Sequence, residues 1–170
     1  MHDFLDQIEA TLGSGIYATA LLSTMMVPDA CGAVEYPDLK NGVRYRTWFD
    51  AFGCSYVTSS ITFDGAALWK VRNAMMHETR LGLSEFGFDR VLFTAPNPNN
   101  IVMHMNVTIM GSESALNLDL VTFCRDMISG CRAWLQAVAG DPEKAARLDR
   151  LIQYREGGLA PHIVGLPLVA

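Results

Sequence analysis

The sequence lacks the features that would point at once to a metal, membrane or nucleotide-binding protein. Its four cysteines, Cys31, Cys54, Cys124 and Cys131, form no C-x-x-C pair, and its four histidines are scattered, so a structural zinc site has no ligand cluster. The longest apolar run, residues 17–27, is too short and too rich in Ser and Thr to cross a bilayer. The acidic N-terminus lacks the basic start of a signal peptide, and no glycine-rich segment has P-loop spacing. We therefore expect a cytoplasmic protein with no membrane segment, cofactor or metal ion.

An excess of basic residues is also absent. The chain has 13 Lys and Arg against 18 Asp and Glu, which gives a formal net charge of −5. A protein that coats long stretches of nucleic acid usually presents a basic face, so this class is disfavoured. A small local RNA site remains compatible with the overall charge.

The chain length and composition predict one globular domain. With 170 residues and 50% hydrophobic residues, residues 1–170 can bury a full core. Apolar residues recur at helical spacing along most of the chain, including a predicted long helix over residues 114–139 in which Cys124 and Cys131 lie on a buried face. Asp141 and Pro142 mark the start of a last helix, and the apolar tail, about 155–170, is expected to be extended and to pack across the helices.

One segment departs from the helical pattern. From Ile101 to Ile109 an apolar residue occupies every second position, which is typical of a strand. The turn PNPNN precedes this run and the apolar segment DRVLFTA precedes the turn, so we expect a β-hairpin at about 89–110. His104, on the polar side of the strand, can either line a cleft or face water. The predicted fold is mainly α, a helical bundle with one inserted β-hairpin.

The segment ALWKVRNAMMHE raises the functional question, because it places polar residues in a helix that otherwise reads as core. On a helical wheel of the predicted helix, about Ala66 to Thr79, Asn73 and His77 fall on one face together with Lys70, and the small residues Ala66 and Ala74 lie between them. Arg72 lies on a different face of the helix, about 140° around the axis from His77 at 3.6 residues per turn. Two such helices facing each other across a two-fold axis would bring both side chains into one cleft.

The three polar residues of this segment match the parts of a metal-independent ribonuclease. His77 can take the proton from a ribose 2′-hydroxyl, and Arg72 can stabilise the phosphorane that forms. Asn73 can hold either the phosphate or the imidazole. The structural alternative is that Arg72 caps a helix or forms a salt bridge while His77 complements the helix dipole.

The segment RNAMMH resembles the R-x4-H signature of the HEPN superfamily, including the Asn that often follows the Arg. The segment MMVPDACGAVEYPD, followed by RYRTWFDAF, is similar to the opening of a bacterial HEPN-like family of uncharacterised proteins. The resemblance implies a HEPN-type helical bundle over most of the chain and a homodimer. It also implies a catalytic site of Arg72, Asn73 and His77. Thr79 stands where toxins silenced by AMPylation carry a tyrosine, so regulation by that modification is not expected.

Two functions follow from this resemblance. The first is a metal-independent endoribonuclease, a toxin or a defence effector, whose partners are an RNA substrate and an antitoxin or another partner protein. The second is a non-catalytic dimeric module of the same fold that binds a partner protein or a small ligand in the same cleft.

Overall fold

The chain is mainly α-helical, as the sequence predicts. A computed structural model describes residues 1–57, 63–77 and 84–170, with only the backbone of His77. Within these ranges the helices are α1 (His2–Gly13), α2 (Tyr17–Thr24), α3 (Val27–Glu35), α4 (Asn41–Trp48), α5 (Cys54–Val57), α6 (Gly65–His77), α7 (Leu120–Val138) and α8 (Pro142–Leu148). A π-helical turn, Phe49–Gly53, joins α4 to α5, and a 3-10 turn, Ser84–Phe86, follows α6. No helix in the described part of the chain is long and apolar enough to span a membrane.

Helix α7 forms the centre of the bundle, because it packs against α1, α2, α3 and α5. Its apolar stripe is fully buried, and Trp134 meets Trp48 edge to face with ring centroids 5.9 Å apart. Cys124 and Cys131 are both completely buried on this helix, which confirms the sequence prediction. Cys131 Sγ lies 3.4 Å from Cys31 Sγ of α3, so these thiols pack against each other within the core.

The predicted hairpin at 89–110 is wrong in its pairing. The three strands are β1 (Arg90–Thr94), β2 (Asn106–Met110) and β3 (Glu113–Asp119), in the order β1-β3-β2. The hairpin consists of β2 and β3, while β1 pairs with β3 in parallel. The two-residue turn at Gly111, where φ is +63°, makes this tight connection, whereas the PNPNN region starts a longer connection that carries the chain past β3. The short turn therefore determines which strands are neighbours.

The helix predicted over 114–139 begins later, at Leu120, because the preceding segment is a strand. Leu116 and Leu118 are fully buried in β3, the central strand of the sheet. Asp119 then ends the strand and caps α7, since its carboxylate accepts a hydrogen bond from Thr122 N at 2.8 Å. A central strand that is buried on both faces has no clear alternation, which is why its pattern resembles a continuation of the helix.

The C-terminal tail is extended, as predicted, but it pairs with itself. Strands β4 (Tyr154–Arg155) and β7 (Leu168–Val169) form one antiparallel ladder, and β5 (Gly158–Leu159) and β6 (Ile163–Val164) form another. Val164, Leu166 and Val169 remain at least 65% exposed, so the prediction that the tail packs across the helices is wrong. Gly158 and Gly165, both with positive φ, turn the chain back before it can cross the bundle.

Candidate functional site

Helix α6, which carries the RNAMMH segment, is held firmly at its start. Asp64 Oδ1 accepts a hydrogen bond from Ala67 N at 2.9 Å and so caps the N-terminus of the helix, as is typical of an aspartate at this position. Asp50 Oδ1 accepts a second bond, from Gly65 N at 2.6 Å. Gly65 packs so closely on α4 that a Cβ atom there would lie 2.5 Å from the carbonyl oxygen of Arg46. These contacts set the rotation of α6 and therefore the direction of its polar side chains.

Arg72 is engaged on three sides. One terminal nitrogen lies 3.3 Å from Asp29 Oδ2, the other donates to Asn73 Oδ1 at 3.2 Å, and the guanidinium carbon lies 5.3 Å from the centroid of the Trp69 ring. Only 18% of the Arg72 side chain is exposed. The structural alternative of a salt bridge is therefore confirmed for Arg72, while its catalytic role stays a prediction.

Asp29 is shared between two arginines. Its second oxygen lies 3.8 Å from a terminal nitrogen of Arg44, on α4. A single carboxylate from the first turn of α3 thus faces two guanidinium groups, from α4 and α6, and one positive charge of the cluster has no counter-ion among the described residues. The cluster is only partly exposed, with 24% of the Asp29 side chain accessible, so water screens the remaining charge incompletely.

A buried aromatic layer supports this cluster from the core side. The ring of Tyr45 lies 5.0 Å from that of Trp69, and its hydroxyl donates to the carbonyl oxygen of Met25 at 3.2 Å. Burial raises the pKa of Tyr45 far above its usual range; the nearby Arg72 charge lowers it and Asp29 raises it further. Tyr45 is therefore a neutral, structural hydrogen-bond donor beneath the arginines.

A groove of about 460 Å³ runs along α6 beside the arginine cluster. From α6 it is lined by Ala66, Trp69, Lys70, Asn73 and Ala74, and from other segments by Arg46, Glu85 and Phe86. The sequence prediction that Lys70, Asn73 and the two alanines share one face is confirmed by this common lining. Lys70 is ion-paired with Glu85 across the groove.

Asn73 connects the groove to the arginine cluster. Its Oδ1 accepts a hydrogen bond from Arg72, and its Nδ2 group donates to none of the described residues. Arg72 does not itself line the groove.

His77 is the last residue of α6, one helical turn beyond Asn73. The catalytic role predicted for its imidazole concerns a side chain that lies outside the described part of the structure. The prediction about Thr79 also concerns a residue outside that part.

His104 neither lines this groove nor faces open water. Its Nε2 lies 3.9 Å from Asp126 Oδ2 on α7, and its side chain is 18% exposed. Its Nδ1 is buried and has no hydrogen-bond partner in the described part of the chain. Burial raises the pKa of Asp126, and the neighbouring His104 lowers it. The pair ties the approach to β2 to the central helix.

Comparison with protein-family models, with curated proteins and with solved structures finds no match. Among the residues that the structure describes, no group of three or more His, Cys, Asp or Glu side chains could hold a metal ion.

Sequence reasoning missed Asp29, the residue that most directly controls Arg72. Asp29 lies 43 positions before Arg72 in the chain. An aspartate in the first turn of a helix, as in α3, is common because it interacts favourably with the helix dipole, so it does not suggest a further role. Nothing local in the sequence indicates that α3 and α6 both approach α4 at this point. Only the packing of these helices shows which cation the carboxylate meets.

Proposed function

We propose that this chain is a HEPN-type, metal-independent endoribonuclease that acts as a homodimer. In this proposal two α6 helices face each other, and Arg72 of one protomer and His77 of its partner act on the same phosphodiester. His77 removes the proton from the ribose 2′-hydroxyl, and the oxygen attacks the adjacent phosphorus. The bond to the 5′-oxygen breaks and this oxygen takes a proton from water, which leaves a 2′,3′-cyclic phosphate and a 5′-hydroxyl end. Arg72 stabilises the negative charge that develops on the phosphorane.

The observation that supports the proposal is the groove along α6. It combines Arg46 and Lys70, the latter paired with Glu85, with the amide of Asn73 and the small side chains of Ala66 and Ala74. Small residues let a second backbone or a nucleotide approach closely, and the amide and cations suit a phosphate. The RNAMMH segment resembles the HEPN signature and lies on the same helix.

The ion pair with Asp29 sets a condition on this mechanism. In the isolated chain a carboxylate oxygen already lies 3.3 Å from the Arg72 guanidinium. A substrate phosphate must share or replace this partner, because an anion that binds beside Asp29 is repelled by it. Dimer formation or substrate binding would have to redirect at least one Arg72 nitrogen.

The test is cleavage of RNA by the purified protein in the presence of a metal chelator. We expect wild-type protein to produce cyclic-phosphate ends, and His77→Ala and Arg72→Ala each to abolish cleavage while the circular dichroism spectrum is retained. Exposed residues of the same type provide matched controls: His162→Ala in the tail and Arg90→Ala on β1 should leave cleavage unchanged. Full activity of His77→Ala would refute the proposal.

A mixing experiment tests the composite site. Two inactive variants, Arg72→Ala and His77→Ala, are unfolded together and refolded as an equal mixture. Half of the dimers are then mixed, and each mixed dimer has one intact pair, so about one quarter of wild-type activity should return. Recovery of no activity from mixed dimers, or a chain that stays monomeric, would rule out the shared site.

The second candidate is a non-catalytic dimeric module that binds a partner protein or a small ligand. The engagement of Arg72 by Asp29, Asn73 and Trp69 favours it, because these contacts account for the arginine without any chemistry. It predicts a protein that is inert towards all RNAs and that co-purifies with a stable partner. In that case Arg72→Ala would lower the free energy of unfolding and have no effect on cleavage.

A further inference from the structure

A second groove lies on the other side of Asp29, and none of the residues proposed for the ribonuclease site lines it. It encloses about 400 Å³ between α1, α3, α4 and the segment after α8. Its walls are mainly apolar and include Phe4, Met26, Ala30, Ala33 and Leu151, together with the exposed side chain of Ile152. Pockets that hold small molecules have volumes of about 300–1,000 Å³ and mostly apolar walls with a few polar groups.

The polar end of this groove is formed by Asp29, Asn41 and Arg44. Arg44 contacts Asp29 only at 3.8 Å, since the other oxygen of Asp29 lies closer to Arg72. The Nε atom of Arg44 is buried and has no acceptor among the residues that the structure describes. Among the described residues no carboxylate lies within hydrogen-bond distance of Arg44, since its one ion pair spans 3.8 Å, and a guanidinium binds a close carboxylate strongly.

The groove continues into a smaller space of about 210 Å³ that shares Ala33 and Leu151 with it. This extension adds Arg147 and Arg150 to the lining, and Arg147 Nε is likewise buried without an acceptor in the described ranges. Among the described residues, the charged side chains that line both spaces are three arginines and Asp29, in a protein whose net charge is −5. One of these arginines, Arg147, is also paired with Glu143 at 3.6 Å. The local charge favours an anion, whereas the rest of the chain does not.

We propose that this groove binds a small amphipathic carboxylate. The aliphatic part lies on the apolar walls of α1 and α3, and the carboxylate accepts hydrogen bonds from the guanidinium of Arg44, which lines the groove. One carboxylate supplies the single negative charge that the cluster of Arg44, Arg72 and Asp29 lacks. The ligand is a medium-chain monocarboxylate, because the groove has the volume of a small-molecule site and one unsatisfied charged end.

The test uses octanoate as the probe and octanamide, which has the same chain and no charge, as its matched control. Calorimetric titration of the full chain should show octanoate binding at least about tenfold more tightly than octanamide, since a charge-assisted bond is the main difference between them. Raising the salt concentration should reduce the affinity for octanoate and leave that for octanamide unchanged.

Two variants locate the site. Arg44→Met should reduce octanoate affinity about tenfold or more and leave octanamide affinity unchanged, while Arg90→Met, an exposed arginine on β1, should change neither. Ala30→Leu fills the groove and should abolish binding of both probes without removing a charge. Equal affinities for the two probes, no binding of octanoate by the wild-type chain, or unchanged binding by both Arg44→Met and Ala30→Leu would overturn the proposal.

Discussion

Replacing Asp29 by alanine removes the carboxylate that lies between Arg44 and Arg72 and leaves two guanidinium groups facing each other. In the described part of the chain no other carboxylate lies within 4 Å of either of them. We expect this substitution to destabilise the fold, because both arginines are mostly covered and repel each other once the anion is gone. Solvent can replace the lost partner only in part, since 18% of the Arg72 side chain is exposed.

The magnitude follows from the geometry of the Asp29–Arg72 pair. A hydrogen bond to a charged group contributes about 1.5–3 kcal/mol. The 3.3 Å separation is longer than that of the strongest charged bonds, and both groups retain some contact with water, so we expect a coupling free energy of about 1–2 kcal/mol. In a chain of this length, 1 kcal/mol corresponds to roughly 2–4 °C in Tm.

The assay is a double-mutant cycle in urea, followed by tryptophan fluorescence. The wild-type chain, Asp29→Ala, Arg72→Met and the double variant give the coupling between the two side chains, free of their separate effects. Arg90 and Glu113 provide a matched control pair, because their charged atoms are also 3.3 Å apart but both side chains are more than 60% exposed. An exposed pair of this kind should couple by about 0–1 kcal/mol. If Asp29 and Arg72 couple no more strongly than this control pair, the structural role assigned to the cluster is wrong.

Two further predictions concern pH and packing. Burial raises the pKa of Cys124 to about 11 and that of Tyr45 above its usual range, so both folded groups keep their protons longer than the unfolded ones. The contribution of Cys124 to stability is complete at pH 8 and is lost as the pH rises from about 8.5 towards 11, whereas that of Tyr45 begins to be lost only above about pH 10. The urea midpoint should therefore fall from about pH 8.5 upwards, and a flat profile would contradict the assignment. Gly65→Ala should cost about 1–3 kcal/mol, because its Cβ would collide with the Arg46 backbone. Gly140→Ala, where nothing lies within 4 Å of the new atom, is the control and should change the urea midpoint little; equal effects of the two would contradict the close approach.

Part of the candidate site could be predicted because it lies within one helix. Lys70, Asn73, Ala66 and Ala74 share a face for reasons of helical geometry alone, and they line one groove in the structure. The start of α6 at Asp64 is equally local, since a capping aspartate acts on the next three residues. The partner of Arg72 could not be predicted, because 43 residues separate it from Asp29.

The strand region shows the same division. The alternation before Ile109 correctly indicates a strand, although only Asn106–Met110 is paired. The prediction that this strand pairs with β1 is wrong, because alternation describes one strand and carries no information about its neighbour. The choice between β1 and β3 depended on the Gly111 turn and on the burial of both faces of β3. Burial on both faces removes the period of two on which the prediction depends.

What the sequence by itself determined is local: the mainly helical character, the caps at Asp64 and Asp141, and the polar face of α6. These features depend on dihedral preferences and on contacts between residues a few positions apart, which the order of residues states directly. The tertiary structure alone decided that Asp29 of α3 holds Arg72 and that β3 lies between β1 and β2. It also decided that Arg44 has a buried donor with no acceptor among the described residues. Each of these depends on how distant segments pack, and the free energy of that packing belongs to the whole core rather than to any stretch of the chain.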